Sequence, residues 1–476
     1  MPCVPLPPSH DDERPRLIHV AIGTYFVFMA IYAGTMSDRL LSPDIYNHYI
    51  YLADSFLHGR LEMVRPPPHQ NDWAFHEGRW YVSFPPVPAL LMVPGVAIWG
   101  WDPDAPSPVP RGWQRPGTER GCYTFNQGPF NLLFAPLPPL LLLVLLERLR
   151  RAGRSRRTRW ENLTLVALYG LGTVYYCAAV QADTWHIAHV VGCTFLGLYM
   201  LASLEGRHPV LAGLCLGLAF GSRTPMIFAF PFFVYEVARA NRVWELRDWG
   251  SRIRAMLSPR VVGALVLFGL ASGALVGAWL MANHARFGDF MDFGHRHLQV
   301  RWLPRIEDWG LFDLHFLPRN LAAALVLLPW ATSAPPYFEI GHHGLAIWFT
   351  TPALLCVLWP RKLTVEEMDR PPRARRLWPE WLADLHWPMW VCVLAVALPS
   401  LLYQNTGWVQ FGYRFSNDYM LFFMVLLAVG NRPMTRVFRT LVVLSIVVSL
   451  FGAVTFNRVP MFYNQDLSQQ VFFQPD

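Results

Sequence analysis

Long apolar blocks separated by arginine-rich loops constrain this chain more than any other feature. Segments near 17–36, 129–147, 160–180, 186–204, 209–222, 225–238, 260–282, 344–360, 386–403, 417–430 and 437–456 are apolar, and a bilayer crossing takes roughly 20 such residues per helix. Hydrophobic residues fill 53% of the 476 positions and charged residues only 15%, where a soluble domain carries about 25%. The expected fold class is therefore all-α integral membrane. Residues 1–476 form a single polytopic domain with about eleven transmembrane helices and juxtamembrane helices in the external loops.

The arginines set the orientation. They cluster at 148–159, 239–254, 361–376 and 432–439, with Arg14 and Arg16 at the amino end. All five clusters fall on one side when residues 1–16 are cytoplasmic, provided that the proline- and glycine-broken stretches 84–100 and 317–331 do not span fully. This leaves two large external loops, 37–128 and 283–343, a cytoplasmic linker at 361–385 and an external carboxyl terminus. The expected location is the bacterial plasma (inner) membrane, with multiple passes and membrane lipids as neighbours. A net charge of +7 then reports topology, and no nucleic-acid partner is expected. No cleavable signal peptide is visible, since residues 1–16 are polar and proline-rich. The seven cysteines lie mostly in apolar segments and form no disulfide framework.

The first external loop is the most informative segment. Ser42 fits a helix N-cap, Pro43 the first helical position and Gly59 the stop, which predicts a surface helix over 42–58. Asp44, Asn47, Tyr51, Asp54 and His58 recur on one stripe, opposite an apolar face of Ile45, Tyr49, Leu52, Ala53 and Phe56. Such a helix is expected to rest on lipid with its carboxylates toward water. Downstream come Gly78-Arg79-Trp80-Tyr81 and Phe84-Pro85-Pro86-Val87-Pro88.

An acid soon after the first span, a short helix, then G-x-x-Y ahead of a proline pair resembles the polytopic GT-C glycosyltransferases, the superfamily of protein O-mannosyltransferases and lipid A aminoarabinose transferases. The resemblance implies a GT-C-like helical bundle and a sugar donor linked to polyprenyl phosphate. It also implies a lipid, glycan or protein acceptor on the non-cytoplasmic face. Asp44 takes the place of the catalytic acid that accepts the acceptor's proton, and transfer proceeds by single displacement with inversion. Two departures stand out. Ile45 replaces the second acid common in relatives. Ser83-Phe84 replaces the lysine that meets the lipid phosphate in aminoarabinose-type enzymes.

Arginine is the natural substitute for that lysine, because its planar fork grips phosphate oxygens in pairs. Arg223, Arg286 and Arg414 lie at external helix ends against the general inward bias, and ionisable groups near hydrocarbon mark functional sites by default. They are the candidate donor-phosphate ligands. Asn47, Tyr81, Asp183 and His186 are candidate acceptor or donor contacts, with Asp183 equally suited to capping a helix. No metal or other cofactor is expected. Asp183, His186 and His189 step around a helix too far to share an ion, and the external histidine pairs lack zinc spacing. No glycine-rich nucleotide loop is present, in keeping with a lipid-linked donor. A transporter or flippase of lipid-linked saccharides is the alternative from another class, although no repeated halves with interrupted helices are visible. A ligase of preassembled glycans is a second alternative.

Overall fold

A computed structural model describes residues 10–42, 44–246, 248–300, 302–360, 385–430 and 432–464. Residues 1–9, Pro43 and all of the linker 361–385 except its last residue lie outside them. The chain is mostly helical. The first span α1 (His10–Met36) leads into the long segment 37–126 that holds α2 (His48–Leu57) and α3 (Val87–Trp99). The bundle continues with α4 (Gln127–Phe134), α5 (Leu137–Arg151), α6 (Arg159–Leu171), α7 (Tyr175–Val180) and α8 (Thr184–Ser203). Next come α9 (Pro209–Phe220), α10 (Pro231–Ala240), α11 (Trp249–Met256) and the long α12 (Pro259–Phe287). After α13 (Leu303–Trp309), α14 (Leu317–Leu325) and α15 (Ile347–Thr350), the chain closes with α16 (His386–Leu401), α17 (Asn417–Val429) and α18 (Arg436–Thr455).

Among the described residues, five helices are long and apolar enough to cross a membrane: Leu17–Leu40, Gln127–Arg151, Thr184–Gly206, Pro259–Phe287 and Arg436–Thr455. Their outward faces carry rows of exposed apolar side chains, among them Ile18, Ile22 and Phe26 on α1 and Val443, Val447 and Leu450 on α18. Contiguous apolar surface of this kind suits lipid rather than water. The expected count of about eleven spans is not reached by these criteria. The block at 160–180 breaks between α6 and α7, where Thr173 turns its hydroxyl onto the Tyr169 carbonyl at 2.7 Å. The blocks at 225–238 and 344–360 open or close in 3-10 turns, Thr224–Ala229 and Pro352–Leu358, each carrying a proline, which removes a helical donor.

The two long segments between helices, expected as external loops, are not all-α either. Trp73–His76 (β1) and Arg79–Val82 (β2) form a hairpin, turned by Glu77 and Gly78, both at positive φ, as a tight two-residue turn requires. Trp101–Pro106 (β3) pairs with Arg120–Tyr123 (β4). Trp330–Ala331 (β5), Phe338–Gly341 (β6) and Tyr463–Asn464 (β7) make a third small sheet. Aromatic and β-branched residues gathered in these loops favour strands.

The surface helix expected over 42–58 begins only at His48. Asp44 folds its carboxylate back onto the Tyr46 backbone N–H at 2.7 Å, an Asx-type turn that competes with helix. The predicted stop holds: Gly59 has φ of 65°, and the Arg60 N–H reaches the Ser55 carbonyl at 2.9 Å in a Schellman-type end. Nor does α2 lie on lipid. His48 through Ser55 are all buried, under α3, β2 and a cluster with Trp73 and Tyr123. Asp54 accepts the Tyr123 hydroxyl at 2.6 Å and lies 3.8 Å from Arg65, so that carboxylate is committed to packing.

Close packing of α9 on α12 depends on small residues. A Cβ on Gly213 would sit 2.4 Å from the Phe268 carbonyl oxygen, and one on Gly217 would meet Leu275 at 2.8 Å. This is the small-xxx-small geometry of helices in lipid. Gly213→Ala should therefore lower stability by about 1–3 kcal/mol through overpacking. Gly269→Ala on α12, which faces open space, should be neutral or slightly stabilising. Thermal denaturation in detergent distinguishes the two.

Candidate active site

Three hydrogen bonds to one carbonyl assemble the site. The Tyr46 oxygen accepts the Thr184 hydroxyl at 2.7 Å, the Thr184 N–H at 3.1 Å and the Gln127 amide at 3.2 Å. The Thr184 hydroxyl in turn accepts the His48 N–H at 3.1 Å. These bonds lay the irregular segment before α2 across the start of α8. Asp44, two residues before Tyr46, thereby comes within electrostatic range of Asp183, one residue before Thr184. Gly128 lets the start of α4 pack against the turn just before this segment, since a Cβ there would lie 2.6 Å from the Leu40 carbonyl oxygen.

The two carboxylates differ in environment. Asp183 caps α8, accepting the His186 N–H at 3.0 Å and the His186 Nδ1–H at 2.8 Å. Burial pushes its pKa up, but His186, those hydrogen bonds and Arg414 outweigh burial and hold it below the usual carboxylate range. Asp44 is half-buried. Burial first, and the Asp183 charge second, push it up to about 7, against the Tyr46 N–H and Arg39. Two carboxyls whose environments drive their pKa values apart are a recurring acid–base device. A third, Asp72, stands at φ of 60°. Burial pushes it up to about 6, opposed by a hydrogen bond from Trp185 and by Arg414.

Arg414 supplies the facing charge. Its backbone N–H donates to Gln410 at 2.9 Å and its Nη1 to the Val409 carbonyl at 3.0 Å. Its Nε is buried with no hydrogen-bond partner. The guanidinium lies within electrostatic range of Asp183, Asp72 and Arg223, and burial lowers its pKa to about 10. Arg223 and Arg414 share the Phe415 ring, at 5.1 and 5.7 Å from its centroid. Arg223 is gripped by Asp418, with Nε–Oδ1 at 3.1 Å and Nη2–Oδ2 at 2.9 Å. The His189 Nδ1 meets the same carboxylate at 2.9 Å.

The structure thus brings Asp44, Asp183, His186, Arg223 and Arg414 to one end of the bundle. Arg286 is engaged elsewhere: its Nη1 donates to the Val82 carbonyl at 3.0 Å, its Nη2 to the Asn283 side chain, and its guanidinium lies against Trp279 and Phe287. Tyr81, on β2, is buried against Phe287 at a ring distance of 5.2 Å. Asn47 occupies the N-cap position of α2 without capping it, and its buried Oδ1 has no hydrogen-bond partner. Tyr46 and Trp185, with rings 4.8 Å apart, form a half-buried aromatic wall next to the carboxylates.

Sequence reasoning missed Asp418, Asp72 and Arg39. A charged residue in the first turn of an apolar helix marks Asp418 by the same rule that marked the arginines. Asp72 carries no such signal. Arg39 donates to the Phe456 carbonyl and keeps a buried Nη1 without a hydrogen-bond partner. Among the described residues no group of three His, Cys, Asp or Glu side chains is placed to hold a metal, and Asp44 with Asp183 offers two carboxylates at most.

No protein-family model matches the chain, and no curated protein does. Among solved structures it is similar to the apo form of the Archaeoglobus fulgidus oligosaccharyltransferase, at 12% identity and a TM-score of 0.40, covering 94% of this chain. The chain spans 56% of that protein's length. A likeness at that level assigns neither family nor reaction.

The Asp44 environment has a consequence for stability. A carboxyl raised from about 3.9 when unfolded to about 7 when folded binds its proton more tightly in the folded state. Its contribution to stability is fully present below pH 4 and falls as pH rises through 7. Asp44→Asn removes that loss. The variant should unfold at a higher temperature than the parent at pH 8, with the difference vanishing toward pH 4.

Proposed function

We propose that this protein is a membrane glycosyltransferase. It moves a sugar from a polyprenyl-phosphate-linked donor to a hydroxyl-bearing lipid, glycan or protein acceptor on the non-cytoplasmic face. The observation that carries the reading is the juxtaposition of Asp44, raised to about 7, with Asp183 and the Arg414–Arg223 pair at one end of a bundle of apolar helices. A base is most effective with a pKa near the working pH. A buried arginine with an uncommitted Nε suits an oxyanion that develops there during reaction.

In this reading the acceptor oxygen attacks the anomeric carbon while its proton passes to the Asp44 carboxylate. The bond from that carbon to the phosphate oxygen breaks, and the electron pair leaves on the polyprenyl phosphate. Arg414, with Arg223 beside it, neutralises the departing anion. Backside attack inverts the anomeric centre. Asp183, already paired with His186, stays ionised and holds the Asp44 pKa up. Tyr46 and Trp185 offer faces on which a sugar ring stacks. Arg286 is left out of the phosphate site, because its donors are taken by Val82 and Asn283.

The test is release of polyprenyl phosphate from a panel of polyprenyl-phosphate hexoses and pentoses, with an envelope extract supplying acceptors. Asp44→Asn should lower turnover by about 10²–10⁴-fold with donor affinity little changed. The parent's rate should fall on the acid side of pH 7, where the base is protonated. Arg414→Ala should weaken donor binding roughly ten- to hundredfold, and lysine should restore only part of it. Full turnover by Asp44→Asn would end the assignment of the base.

Orientation is tested separately. Reporter fusions after Arg157 and Arg436 should report cytoplasm, and fusions after Gln70 and Asp308 the outside. A cytoplasmic signal at Gln70 would put Asp44 on the wrong face for an external acceptor.

A further inference from the structure

At the end of the bundle away from Asp44, a shallow, open recess of about 480 Å³ lies where α5 gives way to α6. Arg150, Ser155, Arg156, Arg157, Thr158 and Arg159 line it. Charge that only sets membrane orientation needs nothing more than solvated side chains. This loop is built differently. Glu147, fully buried, accepts from Arg150 at 3.0 Å, from Arg159 at 3.3 Å and from Asn162 at 2.8 Å, so one carboxylate fixes two of the lining guanidiniums from behind. Arg157 is folded into the wall, buried, with its Nη2 on the Leu427 carbonyl at 2.8 Å and its Nη1 3.4 Å from the Glu161 carboxylate. Its Nε has no hydrogen-bond partner, and a buried charged donor left unmade costs more than a neutral one. Ser155 is tied to the Ala428 carbonyl at 3.2 Å. Thr158 caps α6 in a reciprocal box with Glu161, so the loop holds its shape.

We propose that this recess binds a phosphate ester, through the guanidinium groups set around it. Phosphate offers enough acceptor oxygens to engage several arginines together, and arginine matches its geometry better than lysine does. The ester comes either from the headgroup of an anionic lipid in the adjacent leaflet or from a small soluble phosphate. The site is independent of the glycosyl-transfer reading, since none of its residues touches the Asp44 end. It is joined to that end by α17, which begins beside Asp418 and finishes at the Leu427 and Ala428 carbonyls.

The test uses the full-length protein in nanodiscs of phosphatidylcholine, with and without phosphatidylglycerol, and native mass spectrometry of the lipid that stays bound after release. A parallel arm measures binding of inorganic phosphate and glycerol 3-phosphate in phosphatidylcholine nanodiscs by calorimetry. Arg156→Gln/Arg159→Gln should weaken retention roughly ten- to hundredfold. Arg260→Gln, at the exposed start of α12 and outside the recess, should leave it unchanged. Arg156→Gln alone, altering an exposed side chain, serves if the double variant does not fold. Retention of phosphatidylglycerol without soluble phosphate identifies the lipid source, and the converse identifies the soluble one. Equal loss in Arg260→Gln, or no binding of either probe, overturns the proposal and leaves the cluster as topology-setting charge.

Discussion

The Tyr46 carbonyl is the point on which the candidate site depends. Residues 44–47 form no helix or strand of their own, and a free segment there would lose backbone entropy of about 1–2 kcal/mol per residue on ordering. Convergent donors from Thr184 and Gln127 on that oxygen offset the loss and fix where Asp44 stands. Asn131 secures the other side of the joint, donating to the Ala179 and Gln181 carbonyls at 3.0 and 2.7 Å. Those bonds hold α4 against the turn that presents Asp183. The Asp44 and Asp183 carboxylates, carried on an irregular segment and a helix start, are thus positioned by backbone hydrogen bonds rather than by helix packing.

Charge burial follows a different logic at the two ends of the bundle. At the arginine-rich end, the buried Glu236 accepts from Arg154 at 2.7 Å, from Arg239 at 3.2 Å and from the Glu205 N–H at 2.8 Å. Glu147 does the same for Arg150, Arg159 and Asn162. Each acid is fully paired, so removing one partner would strand a buried charge at several kcal/mol. At the Asp44 end, Asp418 is saturated by Arg223 and His189, and Asp183 is paired with His186. Asp44 and Arg414 retain uncompensated character, one as a carboxyl held near neutrality and the other as a buried fork with an open Nε. Interiors that leave such groups incompletely satisfied are where binding and proton transfer are expected.

Helix placement was legible from hydropathy because lipid demands internally bonded backbone. Each apolar block coincides with a helix or with helices broken near Pro136, Thr173, Pro225 or Pro352. Sequence alone also marked the ends at which Arg223, Arg414, Asp44 and Asp183 lie. Their spacing said nothing about which would meet. The first loop was misread at its start, because Ser42 and Pro43 satisfy the local rules for a helix entry while the Asp44 side chain prefers its own Asx turn with Tyr46. It was also misread in its surroundings, because an amphipathic stripe on a short helix looks the same whether lipid or an aromatic hairpin covers it.

The sequence by itself determined a mostly helical chain with membrane-length apolar helices, the clustering of arginines between them and the residue types available for acid–base and phosphate chemistry. These follow from composition and periodicity, which act locally along the chain. Only the tertiary structure decided that Asp44 comes within electrostatic range of Asp183, that Asp418 restrains Arg223 while Arg414 keeps an open donor, and that Arg286 serves the packing of β2 on α12. Those outcomes rest on contacts between residues more than a hundred positions apart. Such contacts are selected by which backbone carbonyls and buried charges find partners when the helices close, a competition that no local pattern records.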